Sequence, residues 1–293
     1  LNLLSRGPIV DDKLFYMVHG RYYTMDGMYR NSIDGGRVGG EESNNFNASV
    51  EWRPRDGIAA ILSGGYTRDR DDLAAVTLQD RFANNCYLNV ARQYYCGAVQ
   101  VAPTATLDRA GLQGTEGLHR DSTRLSLQLT FDLPAGLTLV SHSGLFSTEM
   151  EYGYDSTYQG ATALGQTTVP GAPGYVRPLS DPVRNGGVMR NEITDRDEWS
   201  TELRLQSDQT QRFSYMVGAY YYKSQRSLEE QHFLATAPTV FSGETQVENL
   251  AAFAAVDFDF TDRWSATAEL RYAEDTIGND NAVARPTSPL VES

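Results

Sequence analysis

Residues Val247 to Ala273 read VENLAAFAAVDFDFTDRWSATAELRYA and contain two runs of alternating apolar and polar residues. In the second run Trp264 and Tyr272 share one parity, whereas Glu269 and Arg271 share the other. A period of two predicts a β-strand, because successive side chains point to opposite faces. Few residues separate the runs, so we predict a hairpin with a very short turn. Its apolar face ends in aromatic residues, as expected where a strand passes from lipid into headgroups.

The same alternation recurs along the chain, and together with the hairpin it predicts nine strands. They cover residues 14–23, 46–52, 58–66, 123–131, 137–146, 199–205, 213–221, 250–260 and 264–272.

Short and long connections alternate between these strands. Turn signals rich in Pro, Gly and Asp lie near Asp11, Pro54, Pro134, Asp208 and Asp262. The intervening segments, expected to be long external loops, cover approximately residues 24–45, 68–121, 149–197, 224–245 and 274–293. The architecture of a soluble β-sandwich does not require every second connection to be long. An outer-membrane barrel, in contrast, has short periplasmic turns and long external loops. We therefore predict an all-β fold, an antiparallel up-and-down transmembrane β-barrel.

Residues 1–293 are predicted to be part of a single barrel domain. Bacterial single-chain barrels have even strand numbers, so nine strands suggest further strands on both sides. The sequence starts at Leu1 without a charged and then apolar signal segment, and we expect an internal piece of a longer chain.

Aromatic residues form two predicted girdles at the ends of the strands. Those beside the short turns are Trp52, Phe131, Phe260 and Trp264. Those toward the long loops are Tyr22, Tyr66, Trp199, Tyr221 and Tyr272.

The composition and the length of the apolar runs argue against two classes of protein, nucleic-acid-binding proteins and helical membrane proteins. The chain has 25 Lys and Arg against 38 Asp and Glu, a formal net charge of −13, which argues against nucleic acid as a partner. Its longest apolar run, 250–256, is far shorter than the roughly 20 residues of a membrane helix. A membrane barrel remains compatible, because only alternate residues of its strands face lipid.

Cys86 and Cys96 are the only cysteines, and both lie in the segment NNCYLNVARQYYC. They can close a small loop, which suggests a disulfide in an oxidising compartment outside the cytoplasm. The alternative is a pair of free thiols. The four histidines are scattered, so we predict no zinc site.

Three parts of the sequence resemble segments of the TonB-dependent outer-membrane receptor family. WSTELRLQS at 199–207 followed by YMVGAYYY at 215–222 is similar to one barrel hairpin of the family. FDFTDRWSATAELRYAE at 258–274 is similar to another. The segments GPIVDDKL at 7–14 and DGMYRN at 26–31 are more weakly similar to the region that follows the plug domain in members of the family.

The resemblance implies a location in the outer membrane and energised uptake of a scarce solute of the siderophore–iron, cobalamin or glycan class. It implies three partners, namely the outer-membrane bilayer, the imported ligand and the TonB complex, the last reached through an N-terminal region and TonB box not identified in this sequence. It implies no cofactor and no catalysis. A passive porin or an adhesin is the main alternative; a hydrolase active at the barrel rim is less favoured, because no Gly-x-Ser-x-Gly motif occurs.

Polar residues opposite the apolar face are candidates for contact with a plug or a solute. The predicted lumen-facing residues are Glu51, Arg124, Gln128, Glu202, Arg204, Glu269 and Arg271. The simpler interpretation of most of them is a hydrated lattice of charges whose pairs contribute about 0–1 kcal/mol each.

Tyrosines in the long loops are candidates for ligand contact through their aromatic faces. The candidates are Tyr87, Tyr94, Tyr95, Tyr152, Tyr154 and Tyr158. The alternative for the cysteine loop is protection against proteolysis. The acidic runs 68–72 and 279–281 lack the spacing of a calcium loop, and no metal site is predicted.

Overall fold

The computed structural model describes residues 1–76, 86–89, 92–94, 104–105, 107, 109, 114–155, 189–234 and 237–284. Its strands in chain order are β1 (Asn2–Val10), β2 (Leu14–Met25), β3 (Tyr29–Asn31), β4 (Arg37–Val38), β5 (Glu41–Arg55), β6 (Ile58–Asp71), β7 (Cys86–Asn89), β8 (Arg92–Tyr94), β9 (Thr104–Ala105), β10 (Gly117–Leu133), β11 (Leu137–Asp155), β12 (Met189–Gln206), β13 (Phe213–Leu234), β14 (Ala237–Thr261) and β15 (Trp264–Ala284).

Ten of these strands form one antiparallel sheet in which each strand pairs with the next one along the chain. The order is β1-β2-β5-β6-β10-β11-β12-β13-β14-β15, an up-and-down arrangement. β1 and β15 do not pair with each other in the described residues, so the sheet is open. Within the same ranges, no helix is long and apolar enough to cross a membrane. The predicted fold class is confirmed.

The sheet contains one strand more than the sequence predicts. All nine predicted strands are present, and the tenth is β1, which pairs with β2. Gly7 and Pro8, residue types typical of turns, lie inside β1. Proline cannot donate to a ladder and is tolerated at irregularities, and the register of β1 with β2 shifts between Pro8 and Val10.

The five predicted short turns are all present. β1 and β2 are joined through Asp12, whose φ is 59°, and β5 and β6 through Gly57, whose φ is 74°. Ala135 and Gly136 have φ values of 65° and 71° between β10 and β11. The left-handed region favours Gly and, less strongly, Asp, which explains the turn signals at the first two positions. We call this edge of the sheet the turn end and the opposite edge the loop end.

The strands extend further toward the loop end than their alternation predicts, so the expected loop bounds are corrected. The segment expected as a loop at 224–245 is largely the pair β13 and β14, which stay in register to Leu234 and Ala237. The segment expected at 274–293 begins with β15, which continues to Ala284. Polar residues such as Arg226 and Glu229 stand at both parities of the extensions, among scattered apolar ones. Backbone pairing does not require apolar alternation, so it continues where that pattern ends.

The two faces of the sheet differ in chemistry. Large apolar side chains are exposed on one face, for example Leu145 at 52% and Trp199 at 44%. Strand pairing places Leu125, Leu145 and Trp199 directly opposite one another, hence on the same face. We call this the outer face. The opposite, inner face carries most of the hydrogen-bonded polar side chains of the strands.

A small apolar cluster lies outside the ten-stranded sheet. β3 pairs antiparallel with β4 and parallel with β9. The cluster consists of Val38, Leu73, Ala105 and Leu107, each at most 1% exposed. It joins residues of the segment between β2 and β5 to residues of the segment between β6 and β10. The described residues of this cluster and of β3, β4 and β9 are here called the loop unit.

Glycine is required where the chain enters β10 beside β11. A Cβ on Gly153 would lie 1.8 Å from the backbone oxygen of Thr115. We expect Gly153→Ala to lower the free energy of unfolding by about 1–3 kcal/mol, because the backbone of Thr115 must move. Gly278→Ala is the control, because its nearest neighbour would be Gln246 Cβ at 4.0 Å. Urea unfolding of the full-length protein in lipid vesicles measures both; equal effects would contradict the close approach.

The turn between β12 and β13 is organised by Asp208. The hydroxyl and the backbone N–H of Thr210 donate to Asp208 Oδ1 over 2.6 and 2.9 Å, and Gln211 Nε2 donates to Oδ2 over 3.1 Å. The Thr210 hydroxyl, then the Gln211 amide, lowers the pKa of Asp208 from 3.8 to about 2.

We expect this turn to depend on pH. Because the pKa in the folded protein is depressed, the stabilisation by ionised Asp208 is present above pH about 4 and is lost as the pH falls through about 2. Thr210→Val removes the hydroxyl donor and should raise the pKa toward its ordinary value. A carboxyl ¹³C NMR titration in micelles measures the pKa, with the remote Thr245→Val as control; an unchanged pKa in Thr210→Val would refute the assignment.

Candidate functional site

Two of the predicted ligand-contacting tyrosines form a stacked pair near the loop end of β11. The ring centroids of Tyr152 and Tyr154 lie 4.8 Å apart with an angle of 23° between the planes. Both side chains are half-buried and point to the inner face. Stacked aromatic faces bind flat or apolar parts of a solute with little conformational cost.

Charged side chains of the neighbouring strands surround this pair. The Tyr154 hydroxyl donates to Glu192 Oε1 over 3.3 Å, and Arg190 Nη1 is 2.9 Å from Glu230 Oε1. Burial, then the charge of Glu192, raises the pKa of the Tyr154 hydroxyl. The hydroxyl therefore stays protonated at neutral pH and can act as a hydrogen-bond donor.

The loop unit packs directly against the tyrosine pair. Tyr154 contacts the apolar cluster that contains Val38 and Leu107. Asn31 fixes the cluster from inside, because its Nδ2 donates to the Leu107 carbonyl over 2.8 Å and its Oδ1 accepts from the Leu107 N–H over 3.0 Å. Tyr154, on β11, thus packs directly against the loop unit.

A ladder of polar side chains runs across the inner face of β5, β6 and β10. Asn45 Nδ2 donates to Thr67 Oγ1 over 2.6 Å, and Asn47 donates to Asn45. Arg124 Nη2 donates to Asn47 Oδ1 over 2.8 Å. Gly65 makes this crossing possible, because a Cβ there would lie 2.8 Å from Arg124 Nε.

A cavity of about 450 Å³ lies beside Arg124 on the inner face. Its polar lining side chains are His19, Asn47, Ser49, Ser63, Arg124 and Ser126. Hydroxyl, amide and guanidinium groups can hydrogen-bond to a polar solute or to another part of the protein in the lumen.

The other lumen candidates lie on the same inner face. Glu51 Oε1 is 2.5 Å from Arg53 Nη2, and Glu202 pairs with Arg204. The Arg271 guanidinium lies 5.9 Å from the centroid of the Tyr220 ring.

Gln128 is opposite Ile61 and His142, and Glu269 is opposite Ala255. Both interpretations of these residues, a hydrated lattice of charges and contact with a plug or solute, stay predictions.

The cysteine loop is described only in part. Cys86 in β7 is opposite Tyr94 in β8, and Tyr87 is opposite Gln93. Cys96, Tyr95 and Tyr158 lie outside the described residues, so the disulfide stays a prediction. In the described ranges, no group of three His, Cys, Asp or Glu side chains could hold a metal ion.

Sequence reasoning missed the partners of the tyrosine pair and of Arg124. Glu192 lies 38 positions from Tyr154, across a connection without alternation, and Arg190 lies 40 positions from Glu230, near the far ends of β12 and β13. Asn31 lies 76 positions from Leu107. Its position before Gly35 and Gly36 is typical of a turn, but nothing in the sequence specifies a partner so distant.

The open up-and-down sheet, apolar outside and polar inside, is part of the wall of a β-barrel. The sequence model of the family described as "TonB dependent receptor-like, beta-barrel" matches residues 62–289. The chain belongs to this family.

The solved structures to which the chain is similar include two receptors and a transporter. The ferric yersiniabactin uptake receptor FyuA from Yersinia pestis has a TM-score of 0.60 and 16% sequence identity, over 96% of this chain and 40% of that chain. The siderophore receptor PirA from Acinetobacter baumannii has a TM-score of 0.43 and 11% identity, over 88% and 40% of the two chains. The copper transporter OprC has a TM-score of 0.43 and 9% identity, over 98% and 42%.

The likeness to FyuA, at 16% identity and a TM-score of 0.60, concerns the fold alone. The chain spans about two fifths of the length of the solved structures it matches. The search of curated proteins found no match.

Proposed function

We propose that the chain is part of the single barrel domain of an outer-membrane receptor that imports a scarce solute with energy from the TonB complex. The observation that carries the proposal is membership of the receptor barrel family. The solute class is a siderophore–iron chelate, cobalamin or a glycan. The TonB complex acts through an N-terminal region of the receptor, and the proposed function includes no catalytic step.

The stacked pair of Tyr152 and Tyr154 is the proposed first contact for the solute. It lies at the loop end of the inner face, next to the Arg190–Glu230 ion pair. Aromatic faces beside charged groups suit a solute that combines flat or apolar parts with hydrogen-bonding groups. The inner-face residues around Arg124 lie further along the same wall.

The test is uptake by cells that carry or lack the full-length gene. The probes are ⁵⁵Fe chelates, labelled cobalamin and labelled oligosaccharides, each with and without a proton-motive-force uncoupler. We expect uptake of one probe class to need both the gene and the proton-motive force. Gene-dependent uptake that persists with the uncoupler would indicate a passive porin, and cell adhesion without uptake would indicate an adhesin.

A double variant, Tyr152→Ala with Tyr154→Ala, tests the contact site in the same assay. We expect weaker binding of the imported probe, because the stacking surface is lost. Tyr16→Ala, on the outer face of β2, is the matched control. Unchanged uptake in the double variant would exclude this pair from the site but leave the transport function standing.

A further inference from the structure

The inner face of β1 and β2 carries two arginines and no carboxylate. Its positions are the even-numbered residues of β1 and the odd-numbered residues of β2, and none of them is Asp or Glu. Arg6 is opposite Met17, and Arg21 follows His19 on the same face. Neither arginine forms an ion pair with the residues that the structure describes, and the Arg21 guanidinium lies 5.3 Å from the centroid of the Tyr23 ring.

Arg124, on the inner face of β10, is a third arginine without an ion pair in the described part of the chain. Its Nη2 donates to Asn47 Oδ1 over 2.8 Å, and Asn47 is uncharged. The inner-face carboxylates that strand register places nearest to Arg124 already pair with other arginines. These pairs are Glu51 with Arg53, Asp69 with Arg120, and Glu198 with Arg196. The three remaining arginines therefore give this part of the inner wall a positive potential.

The cavity beside Arg124, with a volume of about 450 Å³, lies within this positive region. None of the residues that line it is Asp or Glu. Ser63 and Ser126, both in the lining, are directly opposite each other and form the next inner-face pair after Gly65 and Arg124. The cavity thus presents a cation and hydrogen-bonding side chains without a negative charge of its own.

A carboxylate suits this set of groups. A guanidinium carries five N–H donors, of which the described hydrogen bonds of Arg124 use the one to Asn47. Two parallel N–H groups match the two oxygens of a planar carboxylate, and the remaining lone pairs can accept from serine hydroxyls. Arg124 is exposed, so the contact is weak and reversible, as a solute in transit requires.

We propose that this cavity binds a carboxylate group of the imported solute through Arg124, Ser63 and Ser126. The inference rests on the proposed transport function and narrows its substrate: the solute carries at least one carboxylate, which disfavours neutral glycans. It adds a second contact on the inner wall, apart from the stacked pair of Tyr152 and Tyr154. The volume of the cavity leaves room for the part of the solute that carries the carboxylate.

A cysteine inside the cavity tests the proposal without any transport. Ser126→Cys is made in the full-length receptor, whose other cysteines are replaced by serine, and the receptor is placed in nanodiscs. The rate of its modification by the neutral reagent methyl methanethiosulfonate is measured with succinate or with the uncharged succinamide, at constant ionic strength. We expect succinate to slow the modification and succinamide to leave it unchanged. Equal rates overturn the proposal, and so does a cysteine that the reagent cannot reach, because another part of the receptor then fills the cavity.

Three arginine variants in the same background assign the effect. Arg124→Gln should weaken the protection by succinate about two- to fivefold in apparent affinity, the range for one exposed charge pair. Arg124→Lys keeps the charge and should retain most of the protection, which separates loss of charge from a general distortion of the wall. Arg68→Gln, which removes the same charge from the outer face of β6, is the matched control and should retain all of it. Full protection in Arg124→Gln overturns the proposal.

The uptake assay separates this site from the transport function. Arg124→Gln should slow the uptake of a carboxylate-bearing ⁵⁵Fe chelate, whereas Arg68→Gln should not. If succinate protects Ser126→Cys but no probe is imported, the carboxylate site stands and the transport function falls. If a probe is imported but succinate gives no protection, the site falls and the transport function stands.

Discussion

Leu127→Arg is expected to lower the free energy of unfolding of the lipid-embedded protein by about 2–4 kcal/mol, whereas Gln128→Arg should change it little. Leu127 lies on the outer face of β10, opposite Leu62 and Ser143, and is 38% exposed. Gln128 follows it on the inner face, opposite His142. An arginine on the outer face must lose its hydration in lipid, whereas one on the inner face keeps water and polar neighbours.

Urea titration of the full-length protein in phosphatidylcholine vesicles measures both changes. Leu250→Arg on β14 serves as a second outer-face variant, because Leu250 is opposite Tyr221 and is 58% exposed. It lies nearer the loop end, so its cost should be smaller, since the penalty falls toward the interface. Equal losses at Leu127 and Gln128 would mean that the two faces are not lipid and lumen.

The sequence predicts the strands of the ten-stranded sheet well, because the same physical requirement, one apolar face, applies to strand after strand. Each strand from β10 to β15 must place apolar side chains on one face, and a one-residue slip would reverse every one of them. Alternation therefore identifies both the strand and its face, as it does at Leu127 and Gln128. The short turns can be predicted from the sequence as well, because Gly57 and Gly136 occupy positions with positive φ.

The extent of the strands at the loop end is harder to predict from the sequence, because backbone pairing continues where neither face of the sheet is buried. β13 and β14 stay in register as far as Leu234 and Ala237, yet polar residues such as Arg226 and Glu229 stand at both parities of this extension. Alternation cannot detect such strands. β1 was missed for a related reason, because Gly7 and Pro8 interrupt the pattern beside the register shift between Pro8 and Val10.

The candidate site is the least predictable part. Tyr152 and Tyr154 were found because tyrosines near a strand end are conspicuous, but their partners come from β12, beyond a long connection. Glu192 and Arg190 could be placed only after the register of β11 with β12 was known. The residues that support a site therefore depend on long-range pairing that no local pattern encodes.

The loop unit depends on one buried side chain. Asn31 is 1% exposed, and its amide bonds both the N–H and the carbonyl of Leu107 and accepts from the N–H of Ile33 over 3.3 Å. Asn31→Ala would leave the two Leu107 groups unpaired in an apolar cluster, at a cost of about 1–3 kcal/mol each. We expect the loop unit to open locally while the ten-stranded sheet stays intact.

Amide hydrogen exchange of the full-length protein in nanodiscs distinguishes local from global opening. In Asn31→Ala the amides of residues 29–38 and 104–107 should exchange faster by on the order of tenfold or more, since about 1.4 kcal/mol corresponds to a factor of ten, whereas those of β12 and β13 should not change. Asn44→Ala is the matched control, because Asn44 lies outside the loop unit and its amide bonds only the exposed Glu42. Faster exchange in the whole sheet would mean that the loop unit and the barrel wall unfold together, and unchanged exchange would mean that Asn31 does not hold the unit. Because Tyr154 packs on the same cluster, the local opening should also weaken solute uptake by loosening one side of the stacked tyrosine pair.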